Sequence, residues 1–262
     1  MSKTRKIALP GTTYTNPIPM PEKVGGYNAG TTFDNVDFKD LIDGLLYPYQ
    51  YPSFSSFYIS GQSTVLECGE AISGDKTFIW NILNSQNVQS NSITIEDVTN
   101  ALVLASGLVD DGSEVITLSS VTKTTTAQNN TWKISAQNTK SQTFSRNYTV
   151  TWYDPFFYGV GTPGLSVANI QQLSKSVSAK GNKTFSFSPN NQVYYFAYPA
   201  IYGQLISILD TNGFEIINDF ILRTETFTQN GTYFKNIVDV TYYVYEFNNL
   251  TTQTNFNITF KF

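Results

Sequence analysis

Residues 30–60 read GTTFDNVDFKDLIDGLLYPYQYPSFSSFYIS, and the rest of the chain is arranged around them. Phe38, Leu41, Ile42 and Leu45 fall at i, i+3, i+4 and i+7, the spacing of one apolar helix face. Asp37 is placed to cap that helix, and Asp40 sits in the first turn, where the helix dipole favours negative charge. Pro48 stops it, because the residue before a proline is pushed out of the α region. Tyr47, Tyr49 and Tyr51 then alternate with Pro48, Gln50 and Pro52, which predicts an extended connector with its rings on one side. Phe54-Ser55-Ser56-Phe57-Tyr58-Ile59 opens the first strand of a sandwich. The helix is expected either to cap the open end of that β-domain or to dock on a neighbouring subunit.

Downstream of this stretch, residues 52–153 read as a run of short strands separated by Gly, Asn, Asp and Ser turns, the pattern of an antiparallel sandwich. In Lys76-Thr77-Phe78-Ile79-Trp80-Asn81-Ile82, the residues Phe78, Trp80 and Ile82 alternate and share one face. A Trp at such a place fills the space between the sheets of an immunoglobulin-like sandwich. Trp132–Ala136 and Tyr148–Trp152 alternate in the same way.

Asp154-Pro155 and the glycines from 159 to 164 interrupt the pattern, and a second domain is expected over 154–262. A helix is predicted from a Ser166 cap, with Val167, Ile170, Leu173 and Val177 as its stripe and Gly181 as its C′ residue. Strands follow. Thr184–Phe187 and Val193–Tyr198 are joined through Pro189-Asn190-Asn191. Leu205–Leu209 and Phe214–Ile217 are joined through Asn212-Gly213, and Ile221–Phe227 and Tyr233–Tyr245 through Asn230-Gly231. Asn-Gly predicts a tight hairpin in which both central residues take positive φ. Phe256–Phe262 alternates to the last residue, so the chain is expected to end inside a sheet.

Upstream, residues 1–29 carry Pro10, Pro17, Pro19, Pro21 and Gly25-Gly26 with few large apolar side chains, and cannot build a core. They read as an extended arm or linker; Ile7, Leu9, Tyr14, Ile18 and Val24 favour a strap on another surface. The fold expected is thus mainly β: an arm over 1–29, a short helix plus an Ig-like antiparallel β-sandwich over 30–153, and a second β-rich domain with one helix over 154–262.

Composition supports this. Charged residues make up 14% of the chain, against roughly 25% in an average soluble domain, and aromatics 15%. A net charge of −4 excludes an electrostatic nucleic-acid binder, which needs clustered Lys and Arg. Lys3, Arg5 and Lys6 form a small basic start that reads as a solvated tail. Ile7-Ala8-Leu9 is too short for the apolar core of a signal peptide, and no apolar run is long enough to span a membrane. The sequons at Asn147, Asn182, Asn230 and Asn257 are accidents of an Asn- and Thr-rich composition.

Chemistry is restricted from the start. Histidine is absent, which removes Ser-His-Asp and Cys-His systems and His-based zinc sites. Cys68 is the one cysteine and reads as a buried small hydrophobe. Carboxylates remain, and a glycoside hydrolase needs only two. Asp154, Asp210, Glu215, Asp219, Glu225 and Asp239 are the candidates, none in a recognisable motif. Asp110-Asp111-Gly112-Ser113-Glu114 offers oxygens to Ca²⁺ but lacks EF-hand spacing and reads as a turn. No catalytic residue, metal or cofactor is expected.

Tyrosines cluster at Tyr194, Tyr195, Tyr198 and Tyr202, and again at Tyr242, Tyr243 and Tyr245. They have two readings. Tyr194, Tyr195, Tyr198, Tyr202, Tyr243 and Tyr245 could stack on a glycan or fill a subunit interface, or the clusters could be a two-sided aromatic core.

Three stretches resemble structural proteins of tailed bacteriophages, particularly those of Bacteroidetes-type hosts. They are Gly30-Thr31-Thr32-Phe33 leading to Leu45-Leu46-Tyr47-Pro48-Tyr49; Lys76-Thr77-Phe78 with Trp80; and Tyr195-Phe196-Ala197-Tyr198-Pro199 with Tyr202-Gly203, then Asp210-Thr211-Asn212-Gly213-Phe214. The resemblance is one of phrases and carries over no binding residue. It implies a non-enzymatic virion component of the tail, baseplate or a fibre, with Ig-like domains, assembled in the host bacterial cytoplasm. The implied partners are other virion proteins and further copies of the chain in closed cyclic symmetry. The alternative is a module that binds a carbohydrate or receptor on the host surface, and a third reading is a secreted adhesin.

Overall fold

The computed structural model describes residues 13–16, 24, 27–29, 31–46, 48–109 and 112–262. Most of the 1–29 arm therefore lies outside the described residues. What is described begins with a ribbon of β1 (Thr13–Asn16) antiparallel to β2 (Phe33–Asp37), followed by helix α1 (Phe38–Leu46).

The Asp37 cap forms: the Lys39 N–H donates to Asp37 Oδ1 at 2.7 Å. The helix ends at Leu46, short of Pro48. It packs on its own ribbon. Tyr27 donates its hydroxyl to the Asp40 carbonyl at 3.1 Å and sets its ring edge-on to Phe33. A Cβ on Gly44 would come within 2.4 Å of the Tyr27 hydroxyl, so the missing side chain lets the ring in. The contacts that reach the end of the sandwich come from the connector instead. Tyr49 donates to the Asn87 carbonyl, and Asn87 and Asn84 donate to the carbonyls of Gln50 and Tyr51. The Tyr49 and Tyr51 rings meet edge-on at 4.9 Å, as their two-residue spacing predicts.

Residues 53–153 form a two-sheet sandwich. In chain order its strands are β3 (Ser53–Ile59), β4 (Val65–Glu67), β5 (Ile72–Leu83), β6 (Ile93–Asp97), β7 (Leu102–Leu108), β8 (Gly112–Val121), β9 (Gln128–Gln137) and β10 (Thr143–Tyr153). One sheet runs β3-β5-β8 and the other β4-β10-β9-β6-β7. The chain enters one sheet as β3 and crosses to the other as β4, which pairs parallel with β10; the remaining pairs are antiparallel. This is the Ig-like arrangement, with β5 and β9 central in the facing sheets. Phe78, Trp80 and Ile82 of β5 all point inward, as their alternation predicts, against Trp132, Ile134, Val150 and Trp152. Phe78 meets Trp132 edge-on at 6.4 Å between the two central strands, where antibody domains place a disulfide. Ring packing pins the sheets here without a covalent bond.

The chain leaves β10 at Tyr153 and starts the second set of sheets three residues later. These strands are β11 (Phe156–Gly161), β12 (Ser174–Ser176), β13 (Lys183–Phe187), β14 (Asn190–Pro199), β15 (Ser207–Leu209), β16 (Phe220–Phe227), β17 (Val240–Phe247), β18 (Thr251–Thr252) and β19 (Phe256–Lys261). They build the sheets β12-β11-β14-β17-β16 and β13-β19-β15, with β18 pairing the start of β14. Strand β19 lies between two others, so the alternating final stretch does end inside a sheet.

The central strand β14 is buried on both faces. Tyr194, Phe196 and Tyr198 face the small sheet, with Phe260 and Ile258 opposite. Val193, Tyr195 and Ala197 face away, under Ile170, Phe227 and Phe234. A strand covered on both sides needs no polar alternation, which is why Val193–Pro199 reads as an unbroken apolar and aromatic run.

Several local expectations are corrected. The second helix, α2 (Val167–Ile170), keeps its Ser166 cap through the Asn169 N–H but lasts one turn. Ser174-Lys175-Ser176 becomes β12 instead, because it pairs with the free edge of β11; Gly181 ends no helix. Strands β13 and β14 are joined through Pro189-Asn190-Asn191 as expected, and with Asn191 at φ 52° the chain passes there from one sheet to the other. At Asn212-Gly213 only Gly213 takes positive φ, 84°. Gly213 N–H closes the turn onto the Asp210 carbonyl, so the loop is longer than the two-residue hairpin expected. Residues 233–239 do not extend the strand; β17 starts at Val240.

The polar joint between the two sets of sheets

Strand β4 is three residues long, and its sequence Val65-Leu66-Glu67 is followed directly by Cys68. Parallel pairing with the end of β10 brings Glu67 and Cys68 beside Tyr153 and Asp154. The loop that follows β16 reaches back over the same spot from the other set of sheets. Four side chains buried at the 0–3% level meet there: Glu67, Cys68, Asp154 and Asn236.

Glu67 accepts from the Lys175 ammonium at 2.7 Å and from the Lys235 N–H at 2.8 Å. Lys175 spends its other donors on the carbonyls of Thr232 and Tyr233, both at 3.0 Å. A buried carboxylate and its cation are thus fully hydrogen-bonded, the condition under which such a pair survives desolvation. Nearer the surface, Lys235 pairs with Glu70 at 3.2 Å.

Asp154 is held differently. Asn236 donates to its Oδ1 at 2.7 Å and to the Thr124 carbonyl at 2.8 Å, bridging the two sets of sheets. Burial pushes the Asp154 carboxyl above the usual carboxylate range, the Asn236 hydrogen bond and the neighbouring Cys68 thiol pull it back in part, and neighbouring Glu67 adds a further upward push. Burial and the Asp154 charge together push the Cys68 thiol well above the ordinary thiol range. It is fully buried and held as a thiol, the opposite of the exposed thiolate a nucleophile needs.

Gly69 completes the joint. A Cβ there would stand 2.1 Å from the Lys235 carbonyl oxygen, and its φ is +87°. Two backbones meet at a place that admits neither a side chain nor an ordinary φ. Thr126 reaches across to the Tyr202 hydroxyl at 3.1 Å, and Tyr242 donates to the Pro155 carbonyl at 2.9 Å.

Of the six tyrosines expected to contact a glycan or a neighbour, Tyr194, Tyr195, Tyr198 and Tyr245 are corrected by their burial. Tyr194, Tyr195 and Tyr198 are 1% exposed or less and Tyr245 3%. Their hydroxyls are used inside. Tyr194 donates to Gln253, Tyr195 to the Thr162 carbonyl and Tyr198 to the Gly203 carbonyl, while Tyr245 accepts from the Leu205 N–H. Tyr202 and Tyr243 are half-buried; Tyr202 stacks on Phe156 and Tyr243 meets Tyr198 edge-on. The aromatic-core reading is the one the packing follows.

The candidate carboxylates scatter. Asp210 accepts from the N–H groups of Asn212 and Phe214, so it shapes a turn. Glu215 accepts from Ser207 and from the N–H groups of Ile208 and Ile217, and Glu225 contacts Arg223. Asp154 and Asp239 line one cleft. Asp110 and Asp111 lie outside the described residues, while Ser113 and Glu114 belong to strand β8. Among the described residues no group of three or more His, Cys, Asp or Glu is placed to hold a metal ion, and no helix is long and apolar enough to cross a membrane.

Sequence reading missed the joint. Its one local signal was Glu67, an acid set between Leu66 and Cys68 in an apolar run. Lys175 and Asn236 lie far along the chain and carry no sign of their destination.

No family model matches the chain, and no curated protein matches it. Among solved structures it is similar to the crystal structure of Streptomyces avermitilis α-L-rhamnosidase complexed with L-rhamnose, at 6% identity and a TM-score of 0.25, over 80% of this chain and 23% of that one. A likeness this loose carries no functional argument.

Proposed function

We propose that the chain is a non-enzymatic structural protein of a tailed-phage virion, belonging to its tail, baseplate or a fibre. The supporting observation is where its buried polar groups are used. The ionisable Glu67, Lys175 and Asp154 and the amide of Asn236 are spent inside the joint, binding two sets of β-sheets to each other, with the Glu67–Lys175 contact at 2.7 Å as its centre. A joint of this kind supports a reading in which the protein works by shape and contact. The assignment to a phage particle rests on the phrase-level resemblance of residues 30–49, 76–80 and 195–214. In this reading residues 1–29 tether the chain to its neighbours, which are other virion proteins and further copies of itself, and assembly takes place in the bacterial cytoplasm.

The test is incorporation. Particles are purified from lysates carrying either the full chain or a variant lacking residues 1–29, and their protein content is read by mass spectrometry. The truncated chain is expected to keep the circular dichroism and melting transition of the full chain and to be missing from particles. Normal incorporation of the truncated chain overturns the tether, and absence of the full chain from particles overturns the virion assignment.

A further inference from the structure

Beside the joint lies a cleft of about 240 Å³ lined by the buried Asp154 and the exposed Asp239. Its walls include Thr126 and Thr241, and Ile201 and Val238 stand at its rim, 71% and 50% exposed. Among the described residues neither carboxylate is in an ion pair, because Lys175 and Lys235 are committed to Glu67 and Glu70. Asp154 is 2% exposed; its carboxylate accepts from Asn236, and its backbone N–H donates to the Thr126 hydroxyl. The lining of the cleft thus combines two acids, threonine hydroxyls and exposed apolar side chains.

These features select among ligands. An anion would face two carboxylates. For a divalent cation the cleft offers two carboxylates, and among the described residues no group of three or more His, Cys, Asp or Glu is placed to hold a metal ion. A lysine or arginine side chain matches each part, with an apolar stem for the apolar side chains and a cationic head for the acids and hydroxyls.

We infer that this cleft receives a basic side chain from the Lys3-Thr4-Arg5-Lys6 segment of a second copy of the chain. That segment is the densest run of positive charge in a protein of net charge −4, and it lies outside the described residues. The argument is charge complementarity, and it rests on the assembly role proposed above, to which it adds the surface and the docking group. An acidic pocket beside the joint would couple neighbour contact to the part of the molecule that holds both sets of sheets in place.

The test is sedimentation velocity of the full chain at low and high salt, with charge-reversed variants. Asp239 is exposed and outside the buried network, so Asp239→Lys is expected to fold normally. The parent is expected to self-associate at low salt and dissociate at high salt. Asp239→Lys, or the triple variant Lys3→Glu, Arg5→Glu and Lys6→Glu, is expected to weaken association by about tenfold, and the combined variant to restore it. A parent that stays monomeric at every concentration, or association indifferent to the reversals, overturns the inference. Particle incorporation is read separately, so indifferent reversals with normal incorporation would refute this contact and leave the assembly role standing.

Discussion

The Glu67 carboxylate and the Lys175 ammonium stand 2.7 Å apart although 108 residues of chain separate them, and the Glu67 side chain is 3% exposed. Strand β4 supplies the acid from the sandwich, and β12 supplies the base from the other set of sheets. Each is a three-residue strand at the edge of its sheet. Short edge strands add little ladder energy, so the side-chain contacts they make add to the edge pairing that places them.

Lys175→Met is the direct challenge to that contact. It leaves Glu67 buried with the Lys235 N–H alone and frees the carbonyls of Thr232 and Tyr233. Removing one partner of a buried pair costs about 3–5 kcal/mol, and the partial exposure of Lys175 places the loss near the lower end. Urea unfolding followed by tryptophan fluorescence measures it. All three tryptophans, Trp80, Trp132 and Trp152, lie in the sandwich, whereas far-UV circular dichroism reports both sets of sheets. In the parent the two probes are expected to give one coincident transition; in Lys175→Met they are expected to separate. Coincident, unshifted curves would show that the pair does not couple the two halves.

Asp154 predicts a pH dependence with a definite sign. Its folded-state pKa is raised, so the folded state holds the Asp154 proton more tightly than the unfolded chain does. The stability it contributes is present below the unfolded pKa and is lost as pH rises through the folded value. Asp154→Asn keeps an oxygen for Asn236 without the charge. Melting temperatures measured from pH 4 to pH 8 should be close for parent and variant at the acid end, with the variant gaining as pH rises. A variant that loses stability at the alkaline end would mean that the ionised carboxylate is the favoured form.

Gly69→Ala separates two costs that glycines at positive φ share. At Gly69 the new Cβ meets the Lys235 carbonyl oxygen at 2.1 Å, whereas at Gly74, φ +71°, it meets nothing within 4 Å. Gly74→Ala should therefore cost only the left-handed strain, about 1–2 kcal/mol. Gly69→Ala carries that strain plus the separation of two backbones at the joint, and is expected to cost at least about 2 kcal/mol more, in line with overpacking of a close-packed site. Equal losses in chemical denaturation would mean that the two chains part easily there.

How much of this was legible depended on range. Phe78, Trp80 and Ile82 announced their sheet face because strand alternation is local, and Asp37 and Ser166 announced their caps because the N–H groups they satisfy lie two or three residues away. The end of α2 was not legible. The apolar spacing of Leu173 and Val177 is compatible with a helix, and what overrides it is the open edge of β11, formed by residues that precede the segment. The joint was unreadable for the same reason: Asn236 looks like any polar loop residue until Asp154 and Thr124 are placed beside it. The tyrosines were legible in part. Val193–Pro199 lacks the polar alternation of a half-exposed strand, and that lack is the signal of burial on both faces.

Tyr195 brings the last point to a test. Its ring lies in the core with no exposed surface; its hydroxyl donates to the Thr162 carbonyl at 2.8 Å and accepts from the Leu165 N–H at 3.1 Å. Tyr195→Phe removes both bonds and leaves the volume, so it should cost about 1–3 kcal/mol, the penalty for stranding buried polar groups. Tyr195→Ala removes the ring as well and should cost about 3–5 kcal/mol, as large-to-small changes in a core do. The order matters for any glycan-binding assay. If the ring were a sugar platform, alanine would abolish binding at little cost in stability, and phenylalanine would change stability hardly at all. The buried geometry predicts the reverse, with thermal unfolding shifted by both variants and shifted further by alanine, and a melt in which Tyr195→Ala matches the parent would remove the ring from the core.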